Sequence, residues 1–336
     1  MSKLRVLVNG KIINLMESKI LPIAGDASFR KFYRLKSKKN SKIIIFSTRE
    51  KYTNLVAYSA INNFLINNKI LAPQLYEHNL SKGILVVEDF GDTTFNKILV
   101  KKNNKLSVYK KLVDLLIKIQ KIKPKSKLPS IINKPHIVKK YSKSVLHKES
   151  DLFFDWYLPL FLSKKKNKEF KKKAKIILSQ LYSRLNFPNS CFVHRDYHIE
   201  NLMKIKNRIG VIDGQDALIG NPVYDLVSLV DDVRIKTSSK LKKQICEYYL
   251  KKSKKLDKIK REKFLEDFDI LSVQRNLKII GIFSRLFKRD KKKRYVKFIP
   301  YTWKLLEKRM RSKIFFQLRK IFENNISENM RNKVIH

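Results

Sequence analysis

One segment of this 336-residue chain restricts its fold more than any other. It is His194-Arg195-Asp196-Tyr197-His198-Ile199-Glu200-Asn201, followed by the apolar strand Ile209-Gly210-Val211-Ile212 and then Asp213. Cys191 to Asp213 reads as strand, loop, strand, strand. Asp196 and Asn201 lie five apart on the loop, and Asp213 ends a neighbouring strand. An acid and an amide can therefore aim at one point that a second acid reaches from the side. Taken singly, each residue has an ordinary explanation. His194 and His198 read as packed loop residues, Glu200 as a solvated surface acid, Asp196 as a turn residue and Asp213 as a cap through Gly214. The specificity lies in the set.

Length and composition bound the rest. The chain is long enough for two domains of about 150 residues, and with 43% apolar residues it can bury a core. Two cysteines, Cys191 and Cys246, without metal-type spacing exclude a disulfide scaffold and a zinc module, and point to a reducing compartment. Near the start, Asn9, Gly10 and Lys11 interrupt any export-type apolar core. The longest uncharged run, Tyr52 to Asn68, carries five Asn and cannot span a bilayer. A cytoplasmic protein with no membrane partner is expected.

The formal net charge is +47, from 76 Lys and Arg against 29 Asp and Glu. The excess is mostly Lys, spread over the whole chain beside many Ile and Asn, the pattern of an AT-rich codon bias. Aromatic residues do not interleave with the Lys runs as they do in single-strand stacking platforms. Solvated Lys faces are therefore expected rather than a nucleic-acid partner, although a basic surface still attracts anionic small molecules.

Ser18 to Ala24, Arg30 to Leu35 and Lys42 to Ser47 have strand content, and Tyr52 to Asn68 has helical spacing. Leu75 to His78 and Gly83 to Val87 make a further strand pair. This predicts a small mixed sheet with one crossing helix. Beyond Thr94 the pattern is helical: Leu106 to Lys121, Asp151 to Leu162, Phe170 to Leu185, and Val223 to the end. The predicted class is α+β, with residues 1–90 as a sheet lobe and 91–336 as a mainly helical lobe.

Phosphoryl transfer from ATP demands this kind of set. The reaction needs positioning and charge neutralisation more than covalent chemistry. Asp196 suits the base that orients and deprotonates the attacking hydroxyl. Asn201 and Asp213 suit Mg2+, which takes oxygen ligands and keeps several waters. The turn Gly25-Asp26-Ala27-Ser28 between strands suits a loop whose backbone N–H groups cover phosphates.

The catalytic loop with Asp213-Gly214-Gln215-Asp216-Ala217 resembles the aminoglycoside-phosphotransferase branch of the two-lobed protein-kinase-like fold. Three further segments are similar to the bacterial anomeric kinases of N-acetylmuramate and N-acetylglucosamine: Ala24 to Arg34, Leu152 to Tyr157, and Gln274 to Arg285 with Arg294-Tyr295 after it. The resemblance covers about residues 20 to 310. It implies an enzyme that phosphorylates the C1 hydroxyl of an amino sugar in cell-wall recycling, with ATP and Mg2+; a monomer is expected. It also implies adenine contacts from backbone near Glu88 and Phe90, and a bracing role for Asp225.

Kinases place a Lys on the third strand. Ile43 to Thr48 holds none, which leaves Arg30, Lys31 or Arg49 to supply the charge. On the acceptor side, Arg275 and Lys278 share a helical face, while Asp155 and Trp156 offer a hydroxyl acceptor and an aromatic platform. Two alternatives stand beside this reading. One is a kinase of an aminoglycoside- or choline-type compound, disfavoured because the chain is poor in acids. The other is a non-catalytic basic protein that binds nucleic acid.

Overall fold

The computed structural model describes residues 6–8, 11–13, 19–23, 30–37, 40–47, 53–253 and 258–332. The chain divides into two compact units. The first comprises residues 1–101, 125–139 and 194–217; the second comprises 102–124, 140–193 and 218–336.

In the first unit a short ribbon, β1 (Val6–Val8) and β2 (Lys11–Ile13), precedes the main sheet. The sheet contains β3 (Lys19–Ile23), β4 (Lys31–Lys36), β5 (Ser41–Phe46), β6 (Leu75–Asn79) and β7 (Ile84–Glu88), in the order β3-β4-β5-β7-β6. Every pairing is antiparallel, so the sheet is not mixed as expected. Hairpins join β3 to β4, β4 to β5 and β6 to β7. The crossover is made by helix α1 (Thr53–Asn67), and β7 slots between β5 and β6. The apolar run of β5 meets β7 as Ile43 with Val87, Ile44 with Val86 and Ile45 with Leu85.

Helix α1 buries ten of its fifteen residues. Its Leu55 and Tyr58 close a core with Ile45, Leu85 and Val87. Burying each of the aliphatic side chains is worth about 1.5–3 kcal/mol. Asn62 on the same helix is buried and donates to the Pro73 carbonyl at 3.0 Å. The unit also holds helix α2 (Phe95–Lys101) and the hairpin Leu202–Ile205 with Arg208–Val211.

The second unit is helical. It contains α3 (Lys105–Gln120), α4 (Lys143–Leu152), α5 (Lys164–Ser183), α6 (Val223–Val230), α7 (Ser239–Lys252), α8 (Lys258–Lys288) and α9 (Ile299–Met310). Strand Cys191–Val193 pairs with Leu218–Gly220. Helix α5 begins at Lys164, earlier than the apolar periodicity indicates. Lys is a good helix former, and Ser163 caps the turn by accepting from the Lys166 N–H.

The helix expected over Asp151 to Leu162 is broken. Phe153–Tyr157 form a π turn, closed by Leu158 N–H to the Phe153 carbonyl, and Leu158–Leu160 form a 3₁₀ turn. Pro159 has no N–H with which to continue an α-helical ladder. The π turn lies against α8 at Gly281. A Cβ at Gly281 would run into the Leu152 carbonyl and stand 2.5 Å from Phe153 N. Among the described residues, no helix is long and apolar enough to cross a membrane.

Gly281→Ala forces backbone against backbone. It should lower stability by about 1–3 kcal/mol, read as a fall in the urea midpoint. An unchanged midpoint would contradict this crossing.

Candidate active site

The strand Cys191–Val193 delivers the chain into a loop that is fastened at both ends. His198 N–H donates to the Asp196 carbonyl at 2.9 Å, and Asn201 N–H to the His198 carbonyl at 2.9 Å. Two bonds then join the loop to the end of the following hairpin. Ile212 N–H donates to the Asn201 carbonyl at 3.0 Å. The Ile212 carbonyl bonds the buried His194 ring at Nε2, 3.1 Å away. His194 is thus the packed loop residue that its position suggests. The backbone is turned into the left-handed region at Arg195 (φ 72°) and Asp213 (φ 67°). Non-glycine residues occupy that region at a cost and only when their surroundings enforce it. The residues before and after these two turns are the ones that His194 and Ile212 tie together.

This fastening brings three of the expected site residues together on one unit. Asn201 Nδ2 donates to the Asp196 carbonyl at 3.0 Å. The amide is thereby oriented with its nitrogen toward the loop, which leaves Oδ1 as the ligand end. Asp213 follows Ile212 directly, and its side chain remains 38% exposed. A carboxylate and an amide oxygen are hard donors that suit Mg2+, with waters and phosphate oxygens to complete its shell. Among the described residues no three His, Cys, Asp or Glu side chains cluster as a metal centre.

Helix α1 backs the turn that follows Asp213. A Cβ on Gly214 would lie 3.1 Å from Ile61 Cγ2 and 3.5 Å from His194 Nε2, so only a small residue sits there without displacing either. Tyr58 on the same helix has its hydroxyl pushed up to about 12, chiefly by burial, with the Asp213 charge adding to it. Glu200 is no free surface acid: it accepts from Asn96 Nδ2 at 2.5 Å.

Of the nucleotide residues expected from sequence, Gly25, Asp26, Ala27 and Ser28 lie outside the described residues, as does Arg49. Arg30 is buried at the start of β4. Its Nη2 donates to Asp213 Oδ1 at 2.7 Å and its Nη1 to Gln215 Oε1 at 3.1 Å. The third strand begins at Ser41 and so does contain a Lys, Lys42. Its Nζ lies 3.5 Å from Glu77 Oε1 and 5.1 Å from the Tyr76 ring centre. Glu88 N–H donates to the Gln74 carbonyl at 2.9 Å, the Gln74 N–H donates to Glu88 Oε2 at 3.3 Å, and Phe90 packs against Gly210.

A clamp beside Glu88 and Phe90 is not legible in the sequence. Arg34 on β4 grips Asp89 through Nε (2.6 Å) and Nη2 (3.1 Å), and Asp92 through Nη1 (2.8 Å) and Nη2 (3.0 Å). The Ser41 hydroxyl also donates to Asp89. Burial alone would raise the pKa of Asp89. The Arg34 and Ser41 hydrogen bonds outweigh it and hold the acid below the usual carboxylate range.

The expected acceptor residues belong to the second unit. Asp155 is exposed and accepts from Lys171 Nζ at 2.6 Å; Trp156 is half-buried in the π turn. Arg275 and Lys278 do share one face of α8, but both are buried. Lys278 Nζ lies 2.9 Å from Glu149 Oε1, and Arg275 lies over the Tyr224 ring at 5.7 Å. Glu149 is a hub that also accepts from Gln274 Nε2 (2.9 Å), the Tyr224 hydroxyl (3.3 Å) and the Tyr141 hydroxyl. In sequence it reads as one more surface acid beside Lys148. Asp225 is buried in the first turn of α6.

Residues 19–261 match the model of the phosphotransferase enzyme family. The chain belongs to that family. It is 30% identical over 294 residues to an N-acetylmuramate/N-acetylglucosamine kinase of Pseudomonas aeruginosa, covering 86% of this chain and 83% of that protein. It is 28% identical to a protein of the same name from Neisseria meningitidis, covering 82% and 81%. Among solved structures, a Plasmodium vivax ethanolamine kinase matches with a TM-score of 0.63 at 16% identity, over 94% of this chain and 86% of that one. An ADP-bound aminoglycoside phosphotransferase matches with a TM-score of 0.58 at 13% identity, over 89% and 95%. Likenesses this distant speak for the fold, which is the protein-kinase-like one.

Arg34→Ala leaves Asp89, whose side chain is 5% exposed, without its guanidinium. It should cost about 2 kcal/mol at pH 7. The folded-state pKa of each acid is depressed, so the stabilisation is present above the unfolded value near 3.8 and is lost as pH falls through the folded values. The gap between variant and wild type should therefore narrow at pH 3. Urea melts at both pH values measure it, and an equal gap at both would refute the clamp.

Proposed function

We propose that this chain is an ATP-dependent kinase that phosphorylates the anomeric C1 hydroxyl of an amino sugar, N-acetylmuramate or N-acetylglucosamine, in cell-wall recycling. In this reading it is a cytoplasmic monomer, with residues 1–90 as the nucleotide-covering lobe and 91–336 as the lobe that carries the catalytic loop. The supporting observation is the joint fastening of Asp196, Asn201 and Asp213 through Ile212, in a chain 30% identical to a kinase named for those two sugars.

Asp196 accepts the proton of the acceptor hydroxyl. As the hydroxyl oxygen bonds to the terminal phosphorus, the bond from that phosphorus to the bridging oxygen breaks, and ADP leaves. A hemiacetal hydroxyl is more acidic than an ordinary alcohol, so a carboxylate is an adequate base. Asn201 and Asp213 would hold magnesium, which would supply positive charge against the phosphates. By the family resemblance, Gly25, Asp26, Ala27 and Ser28 are the residues assigned to those phosphates, and backbone near Glu88 and Phe90 is assigned to the adenine.

On the acceptor side, exposed Asp155 and half-buried Trp156 are the residues left to meet a sugar. Arg275 and Lys278 are buried on Tyr224 and Glu149. Their part is to fix α4, α6 and α8 together.

Asp196→Asn should lower kcat by about 10²–10⁴-fold while nucleotide affinity stays within about twofold of wild type. Near-normal turnover would remove Asp196 from the base role. Incubation of the protein with ATP, Mg2+ and each sugar, followed by phosphorus NMR, should give a C1 phosphate. A phosphate on another hydroxyl would overturn the anomeric assignment, and no product from either sugar would overturn the substrate class.

A further inference from the structure

Asn201 stands between two attachments to a distant stretch of the same unit, residues 93–96. On one side of it, Asn96 N–H donates to the Ile199 carbonyl at 3.1 Å, and Asn96 Nδ2 donates to Glu200 Oε1 at 2.5 Å. On the other side, Lys204 N–H donates to the Thr93 carbonyl at 2.8 Å, and Thr94 bridges antiparallel to Met203. The strand Arg208–Val211 pairs with the opposite edge of Met203 and Lys204. The stretch 93–96 is itself anchored. Arg34 grips Asp92 just before it, and Phe95 and Leu99 of α2 are buried.

Most of these links run from backbone to backbone and form with almost any side chains. The Asn96–Glu200 bond is the one that residue identity specifies. A carboxylate accepting from an N–H makes a strong, charge-assisted bond. Among the described residues the polar partner of the Glu200 carboxylate is Asn96, and no Lys or Arg pairs with it. This bond therefore directs the Glu200 side chain. Glu200 and Asn201 share one planar peptide, so holding Glu200 holds the start of Asn201, and only the torsions of Asn201 itself remain to be set. Asn201 Nδ2 sets those through the Asp196 carbonyl at 3.0 Å.

We propose that Glu200 is a positioning residue: through Asn96 it fixes where Asn201 presents its amide oxygen to the divalent ion. The inference rests on the reading of Asn201 as a metal ligand. Glu200 contributes direction, and Asn201 contributes the oxygen. Losing a partner that orients a metal ligand lowers metal affinity by about ten- to a hundredfold.

The test uses Mn2+ as the probe ion, titrated by electron paramagnetic resonance into the full chain with an equimolar non-hydrolysable ATP analogue. Glu200→Ala and Asn96→Ala should each weaken Mn2+ binding by about tenfold. The double variant should be no weaker than the worse single one, since both remove the same bond. Additive losses, or Mn2+ affinity within about twofold of wild type in either single variant, would overturn the proposal. A residue that merely stabilises the fold would lower the urea midpoint and leave the Mn2+ affinity of the folded protein unmoved. Glu200→Gln separates position from charge, because it keeps the acceptor oxygen and loses the charge. It should hold Mn2+ within about threefold of wild type; a loss as large as that in Glu200→Ala would overturn the positioning role in favour of plain electrostatic attraction. Glu200→Asp, one methylene shorter, replaces the Ala variant should that one not fold, and it must also weaken Mn2+ binding. Loss of folding in every Glu200 variant would overturn the proposal too, since orienting a neighbour is not a requirement for folding. Asn201→Ala separates the two levels. If Mn2+ affinity survives it, the metal assignment fails; if affinity falls there and not in Glu200→Ala, the assignment stands and the positioning role alone fails.

Discussion

The site depends on one residue that contributes no side-chain chemistry. Ile212 gives its N–H to the Asn201 carbonyl, and its carbonyl bonds the His194 ring. One residue thus fixes the far end of the loop from His194 to Asn201, its near end and the residue that follows, Asp213. Strain at Arg195 and Asp213 is tolerated because these two bonds determine the path between them. Were Ile212 a residue of an ordinary hairpin end, paired only along its ladder, Asn201 and Asp213 would have no fixed relation. The chemistry of a divalent ion needs that relation to within a fraction of an ångström.

The backbone also explains why the neighbouring parts are stiff. Helix α1 presents Ile61 to Gly214, so the turn after Asp213 rests on a helix whose other buried side chains hold the sheet. Arg34 fixes the stretch after β7 to β4 by four hydrogen bonds to two acids. Bidentate guanidinium–carboxylate pairs fix direction as well as distance. The sheet thereby carries both the segment around Glu88 and Phe90 and the strand that follows Arg30.

What could be read from the residues follows from how each piece is specified. That the loop from His194 to Asn201 meets the strand end before Asp213 was legible because these residues are set by spacing along the chain, and a strand end is recognisable from Ile209 to Ile212. The helix α1 and the strands of the sheet were legible because period and apolar content are local. Partnerships were not. Lys278 is spaced as a surface ligand on α8, yet its charge is satisfied by Glu149, more than a hundred residues earlier. Nothing in the Lys-rich segment around Glu149 distinguishes it from a solvated acid. The π turn at Phe153 was hidden for a similar reason, since its cause includes a glycine on another helix. The antiparallel arrangement follows from where β7 inserts, and that is a tertiary choice.

The extreme charge acquires meaning from where the scarce acids stand. With 29 acids against 76 cations, most lysines have no acid to meet, and an exposed pair would contribute well under about 1 kcal/mol in any case. Yet Glu149, Asp225, Asp231, Asp232 and Asp267 are all at most 5% exposed. Asp231 receives Lys242 at 2.7 Å and Arg309 at 3.1 Å, and these cations outweigh the upward effect of burial and hold its pKa far below the ordinary range. Asp267 accepts the Asn186 and Phe187 N–H groups at 2.7 and 3.0 Å. Removing an acid from such a position strands a buried cation or donor at a cost of about 3–5 kcal/mol for a charged partner. Interior acids are thus fixed by structure, while surface composition is free to drift toward lysine. A net positive exterior follows without any demand for a polymeric anion, and it raises the local concentration of a small anionic ligand such as a nucleotide.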